Sequence, residues 1–159
     1  MFDVDPLALN SWTELLLRLG VAALLGLLLG LDRELRGHDA GIRTHALVSL
    51  SSAMIMVSSL ILYDQLGQED FAPDPLRSIQ GLAQAIGFLC AGVIFVAKGS
   101  VYGLTTAASL WMTSSLGMAA GAGMYQIAVA GLIFAVLILS VIWLATRYLP
   151  GSRNSGNDI

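Results

Sequence analysis

Five apolar stretches follow one another along this chain, each close to the length a helix needs to cross a lipid bilayer. They run from about Leu15 to Leu31, Ala46 to Tyr63, Ile79 to Ala97, Leu104 to Gly123 and Ile127 to Ala145. A helix of that length rises roughly 28 Å, enough for the hydrocarbon core. None of the stretches alternates with a period of two, so a lipid-facing β-barrel is disfavoured. Composition agrees: 56% of the 159 residues are hydrophobic and 12% charged, about half the charged share of a soluble domain. The 17 glycines suit close helix packing in lipid better than flexible linkers. The expected fold is all-α: an integral membrane bundle of about five transmembrane helices forming one domain over residues 1–149. The polar tail, residues 150–159, is expected to be disordered. The short link around Met124 predicts that the fourth and fifth helices form an antiparallel hairpin.

The first stretch is flanked by Asp3, Asp5 and Glu14, where a signal peptide would be basic, so it reads as a retained helix with Trp12 as an outer interfacial anchor. Basic residues set the orientation. With the N-terminus outside, Arg33, Arg36, Arg43, Lys98, Arg147 and Arg153 fall on the inner side. Arg77 falls outside with Arg18, whose stem is expected to snorkel outward. Asp64, Glu69, Asp70 and Asp74 are outer acids, and Tyr63, Tyr102, Tyr125 and Tyr148 mark segment ends. The N-terminus is therefore expected outside and the C-terminus inside.

Several function classes drop out. Cys90 is the single cysteine, so no internal disulfide forms. A net charge of −3 suggests no nucleic-acid partner. The chain has no GxxxxGK[ST] phosphate loop and no DKTG-like segment, which argues against ATP hydrolysis. No nucleophile–histidine set assembles on one side of the membrane, so an enzyme is not expected. The last four stretches contain no Asp or Glu, and the first has none between Glu14 and Asp32, a poor inventory for an autonomous magnesium path. The polar residues within the stretches are Ser, Thr, Gln80, Gln84, Cys90 and Trp111. Gln80 and Gln84 share a helix face and are expected to bond across helices. Trp111 is expected to find a buried acceptor, Cys90 to fill a small apolar space, and Thr105 or Thr106 to cap the fourth helix.

Small residues recur every fourth position: Ala22, Gly26 and Gly30; Ala83, Gly87 and Ala91; Ser109, Thr113, Gly117 and Gly121. Such stripes let helix backbones approach closely, within one bundle or across a homodimer or larger homo-oligomer. The densest chemistry lies in DRELRGHDAGIRTH, Asp32 to His45. Carboxylates at a helix C-terminus oppose its macrodipole and need compensation. Arg43 is expected to supply it, so that Asp32, Glu34, Arg43 and His45 meet in one polar site with Thr44 nearby, while Arg36 stays in the exposed loop. The segment then reads either as a stop-transfer cluster with local ion pairs or as a ligand site. In the second reading Asp32 and Glu34 would hold a metal, Mg²⁺ being the one cofactor in view.

Three blocks carry a family resemblance. GLLLGLDRELRGHDAGIRTHALVSL, RSIQGLAQAIGFLCAGVIF and GLTTAASLWMTSSLGMAAGAG, covering roughly residues 20 to 123, resemble the MgtC/SapB family in order and content. Asp32 stands where that family commonly has Glu, and Cys90 where it commonly has Gly. The chain is similar to the short, membrane-only members. The resemblance implies a multi-pass protein of the bacterial inner (cytoplasmic) membrane, linked to magnesium homeostasis and virulence. Longer members are reported to restrain the membrane ATP synthase, which makes such a complex a candidate partner. The expected function is a non-enzymatic regulator that binds a partner in the bilayer. The alternative is a small oligomeric transporter or channel for Mg²⁺ or another small solute, with Asp32 to His45 as its inner gate. The orientation is directly testable in a Cys90→Ala background. A Gln68→Cys thiol is expected to react with an impermeant reagent on intact cells, and a Ser152→Cys thiol only after lysis; the opposite pattern would invert the topology.

Overall fold

A computed structural model describes residues 11–66, 74–97 and 99–148. The expectations for Asp3 and Asp5, for residues 67–73 with Glu69 and Asp70, for Lys98 and for the tail lie outside these. The described chain runs α1 (Trp12–Leu35), α2 (Ile42–Leu66), α3 (Pro75–Val93), β1 (Phe95–Ala97), β2 (Ser100–Tyr102), α4 (Leu104–Gly121) and α5 (Tyr125–Tyr148). The fold is a helical bundle, and α1, α2 and α3 are each long and apolar enough to cross a membrane.

Local signals explain where the helices start and stop. After α1 the chain turns at Gly37, φ +78, where the His38 N–H reaches Arg33 O and the Gly37 N–H reaches Glu34 O. That pair of bonds is the Schellman stop, which needs a residue tolerating the left-handed region. The same device recurs at Gly123, φ +77, with Gly123 N–H on Ala120 O and Met124 N–H on Ala119 O. It folds α5 back on α4, as the short link predicts. At α3, Asp74 Oδ1 accepts the Leu76 N–H at 2.9 Å and Pro75 opens the first turn.

The third stretch departs from its expected course. Its helix ends at Val93 rather than continuing to Ala97, and Phe95–Ala97 pairs antiparallel with Ser100–Tyr102 in a small hairpin. Phe95 stacks on Tyr102 with ring centroids 5.3 Å apart, and Gly99 sits at φ +79. FVAKGSVY carries β-branched and aromatic residues on both sides of a glycine, the ordinary hairpin signal, which the apolar run masks. Gly103, at φ +82, then lets the chain pass against the Val93 carbonyl, where a Cβ would collide.

The core is a three-helix contact in which α1, α2 and α4 each touch the other two, Leu25 and Leu29 of α1 joining Leu116 and Ala120 of α4 in one buried cluster. A Cβ at Gly26 would lie 2.5 Å from His45 O, and one at Gly30 would lie 2.7 Å from Ile42 Cα. From α4, Gly117 abuts the Ser49 backbone, and a Cβ at Gly121 would lie 2.7 Å from Ala53 O. The α1 and α4 stripes are thus consumed within one chain, so α4 does not offer its glycines to a second copy. Gly87 faces the ring of Trp111; that tryptophan is 45% exposed rather than enclosed. Cys90 is buried at the α3–α4 contact, its Sγ donating to Ala107 O. Leu16, Leu24, Phe88, Phe134 and Ile138 point outward, as the lipid-facing surface of such a bundle should.

Gly26→Ala and Gly117→Ala are each expected to destabilise the protein in detergent by about 1–3 kcal/mol through overpacking. Gly20→Ala and Gly81→Ala, which meet nothing within 4 Å, should leave the thermal midpoint unchanged or raised. Equal behaviour of the two pairs would refute the three-helix contact.

Candidate functional site

At the end of the bundle where α1 stops and α2 begins, the carboxylates find different partners from those expected. Asp32 takes a forked ion pair from Arg36, one helical turn away, with Nη2–Oδ1 at 2.6 Å and Nε–Oδ1 at 3.0 Å. Arg36 also donates to Ser140 Oγ on α5 at 2.8 Å, so it is a packed residue and not a loop residue. Glu34 Oε2 accepts the Ile42 N–H at 2.8 Å, spanning the turn to the first residue of α2. The compensation that the α1 dipole demands thus comes to Asp32 from Arg36, while Glu34 finds its own in the positive end of the α2 dipole. Arg43 is exposed and takes no part. Asp32 and Glu34 stand two residues apart and face different sides of α1. Among the described residues no three His, Cys, Asp or Glu side chains gather where they could hold a metal ion.

His45 is completely buried. Its Nδ1 lies 2.9 Å from Gly41 O, which can only accept, so Nδ1 carries a proton; Nε2 lies 3.2 Å from Ser109 Oγ on α4. From there a seam of buried hydroxyls continues inward between the helices. Ser109 donates to Thr106 O, Thr113 to Ser109 O, and Ser49 to Ala22 O at 2.6 Å. Ser52 donates to Val48 O, which leaves Ser114 to donate to Ser52 at 2.9 Å. Each hydroxyl is satisfied locally, as a site shielded from water requires.

Two arginines that sequence reasoning treated as boundary charges close this seam at its ends. Arg33, 2% exposed, donates from Nη2 to Thr106 Oγ1 at 2.8 Å. Thr106 therefore serves Arg33 and does not cap α4, whose N-cap is Gly103 with no side-chain hydrogen bond. At the far end Arg18 is 4% exposed and does not snorkel outward. It pairs with Glu14 at 2.7 Å and donates to Gly121 O at 3.0 Å, at the C-terminus of α4, where a cation is favoured. Tyr125 OH donates to the same Glu14 oxygen at 3.3 Å. The signal was present in the spacing. Arg18 and Arg33 extend the Ala22–Gly26–Leu29–Gly30 face by one turn at each end, and that face is the buried one.

Beside Arg33 lies a cavity of about 650 Å³. Arg33, His38, Asp39, Thr44, Thr105 and Thr106 supply its polar lining; Leu89, Val93, Phe95, Val101, Leu104 and Leu110 supply the apolar one. Of the residues expected to form one polar site, only Thr44 borders this cavity. Gln80 and Gln84 do not bond across helices but stand on the exposed face of α3.

Comparison with known proteins agrees with the motifs. The model of the MgtC family matches residues 19–147. YhiD of Escherichia coli (strain K12), whose name carries a provisional assignment to magnesium transport, is 37% identical over 129 residues, 80% of this chain and 60% of its own length. Protein SapB of Bacillus subtilis is 35% identical over 156 residues, 95% of this chain and 67% of its own. Protein MgtC of Brucella abortus is 37% identical over 118 residues, 74% of this chain and 46% of its own. The chain thus spans less than two thirds of the length of YhiD and under half of MgtC. No solved structure matches it. Helical architecture, motif order and these relatives lead to one conclusion: the chain belongs to the MgtC family.

Proposed function

We propose that this protein is a non-enzymatic regulator of the bacterial inner membrane, acting in magnesium homeostasis by binding a partner within the bilayer. The observation that carries the reading is the outer face of α3. Gln80 and Gln84, one turn apart in a helix apolar enough to span the membrane, are both exposed. A primary amide facing hydrocarbon forfeits its hydrogen bonds, and a helix that covers it restores them. Gly81 and Gly92 on the same side meet nothing within 4 Å, so another backbone can come close. A second copy of this chain, or a larger complex such as the membrane ATP synthase that the family resemblance suggests, would meet this requirement. The Brucella relative's name, MgtC, and the family's association with virulence fit the same role.

A transporter is the second reading, favoured by the name given to YhiD and by the polar lining of the cavity. Against conduction through a single chain stand the backbone contacts at Gly26, Gly30, Gly117 and Gly121, together with a seam that contains no carboxylate. With the N-terminus outside, the cavity opens to the cytoplasm.

Two measurements separate the readings. A photo-crosslinking amino acid at Gln84 or Phe88 is expected to give protein adducts in cells, whereas one at Phe134 on α5 should label lipid. Purified protein in sealed liposomes should pass Mg²⁺ no faster than empty vesicles do. Flux from the protein alone, without adducts from α3, would reverse the assignment.

A further inference from the structure

We propose that the occupant of the outer face of α3 is a second copy of this chain, docked about a two-fold axis with Gln84 against Gln84. The proposal rests on the reading of α3 as the partner-binding face and commits that face to one partner. Of the three spanning helices α3 is the least buried in the bundle. Its inner side is already in use: Ile86 and Cys90 are buried there, and Ser78 bonds Ser59 of α2 at 2.7 Å. On the opposite side Arg77, Gly81, Gln84 and Phe88 are all exposed, Phe88 at 84%. At 3.6 residues per turn these four fall within about 60° of arc, a single straight stripe.

The chemistry of the stripe selects an identical partner. Copies inserted in one orientation run their α3 helices parallel, so a two-fold axis sets each residue opposite itself. For most polar side chains that is a mismatch. A primary amide carries both donor and acceptor, so two glutamines at equal depth satisfy each other. The Gln84 amide makes no hydrogen bond among the described residues, and in hydrocarbon an interhelical amide pair is the available remedy. Close approach is open one turn earlier, since a Cβ at Gly81 would meet nothing within 4 Å. The charges at the water end fit the same symmetry. Asp74 and Arg77 are both exposed, and neither forms an ion pair among the described residues. Across the axis Arg77 of one copy reaches Asp74 of the second, twice over, which removes the like-charge penalty of two facing arginines.

The test is disulfide trapping of the full chain in native membranes, in a Cys90→Ala background, with copper phenanthroline as the oxidant. Gln84→Cys is expected to give a cross-linked dimer, and Phe134→Cys, also exposed but on α5, to give none. In purified protein Gln84→Leu should weaken dimerisation about tenfold, the scale of a pair of interhelical amide bonds in lipid. Gly81→Leu should weaken it at least as much by holding the helices apart. Its thermal midpoint, measured where the protein is monomeric, should stay unchanged, because the site is empty within the chain. No dimer from Gln84→Cys, an equal yield from Phe134→Cys, or unaltered dimerisation in both leucine variants would overturn the proposal. Photo-crosslinking at Gln84 separates this failure from the wider one. Adducts with a different protein alone, and no self-disulfide, would overturn the second copy while leaving α3 as the partner-binding face; labelling of lipid alone would overturn both.

Discussion

Everything in this bundle depends on how closely α2 is gripped by its two neighbours. In lipid, helices gain nothing by hiding apolar surface from water, so association rests on van der Waals contact and on hydrogen bonds that have no competing solvent. Gly26 and Gly30 bring α1 onto the backbone of α2, and Gly117 and Gly121 bring α4 onto it as well, so that all three helices meet. At that separation serine and threonine hydroxyls reach across or back along the helices, and Ser49, Ser52, Ser109, Thr113 and Ser114 are all buried and bonded. A leucine-rich interface would hold the helices further apart and leave these hydroxyls without partners. The small residues and the polar ones are therefore a single device.

The polar cluster between α1 and α2 follows from the same geometry. A tight turn at Gly37 places Glu34 opposite the first N–H of α2, so the negative end of one helix dipole is relieved by the positive end of the next. Asp32 is served within its own helix by Arg36. With both acids satisfied, Arg43 has no inward role and turns to the exposed side. Arg33 is drawn inward because its position on the helix is that of the packing face, and the first turn of α4 supplies a hydroxyl to meet it.

The helices, the antiparallel α4–α5 link and the close-packing role of the glycines were legible in the sequence because each rests on local periodicity or turn chemistry. The partners of the charges were not. Proximity in sequence suggested Arg43 for Asp32 and Glu34, but side-chain direction on a helix depends on phase, and Arg36 stands one turn from Asp32 where Arg43 lies beyond the turn. Arg18 illustrates the same error at the other end. Its nearness to a helix terminus suggested snorkelling, while its four-residue offset from Ala22 already placed it on the buried stripe. The hairpin after α3 was hidden for a different reason, since an apolar run reads alike as helix or strand until glycine placement is weighed. Gln80 and Gln84 were rightly seen to share a face; which way that face turned needed the packing of the whole bundle.

The two buried arginines also bear on how the protein is made. Arg18 reaches Gly121 O across 103 residues of chain, and Arg33 reaches Thr106 across 73. At about 5–20 residues per second, synthesis delivers the last of these acceptors some 5–20 s after α1 has emerged. Through that interval α1 carries two guanidinium groups on a face meant for its neighbours, and free lipid is a costly place for them. Biogenesis must therefore keep α1 in the shelter of the insertion machinery, or near the aqueous boundary, until α4 arrives, and a nascent chain truncated before α4 should be a target for membrane quality control.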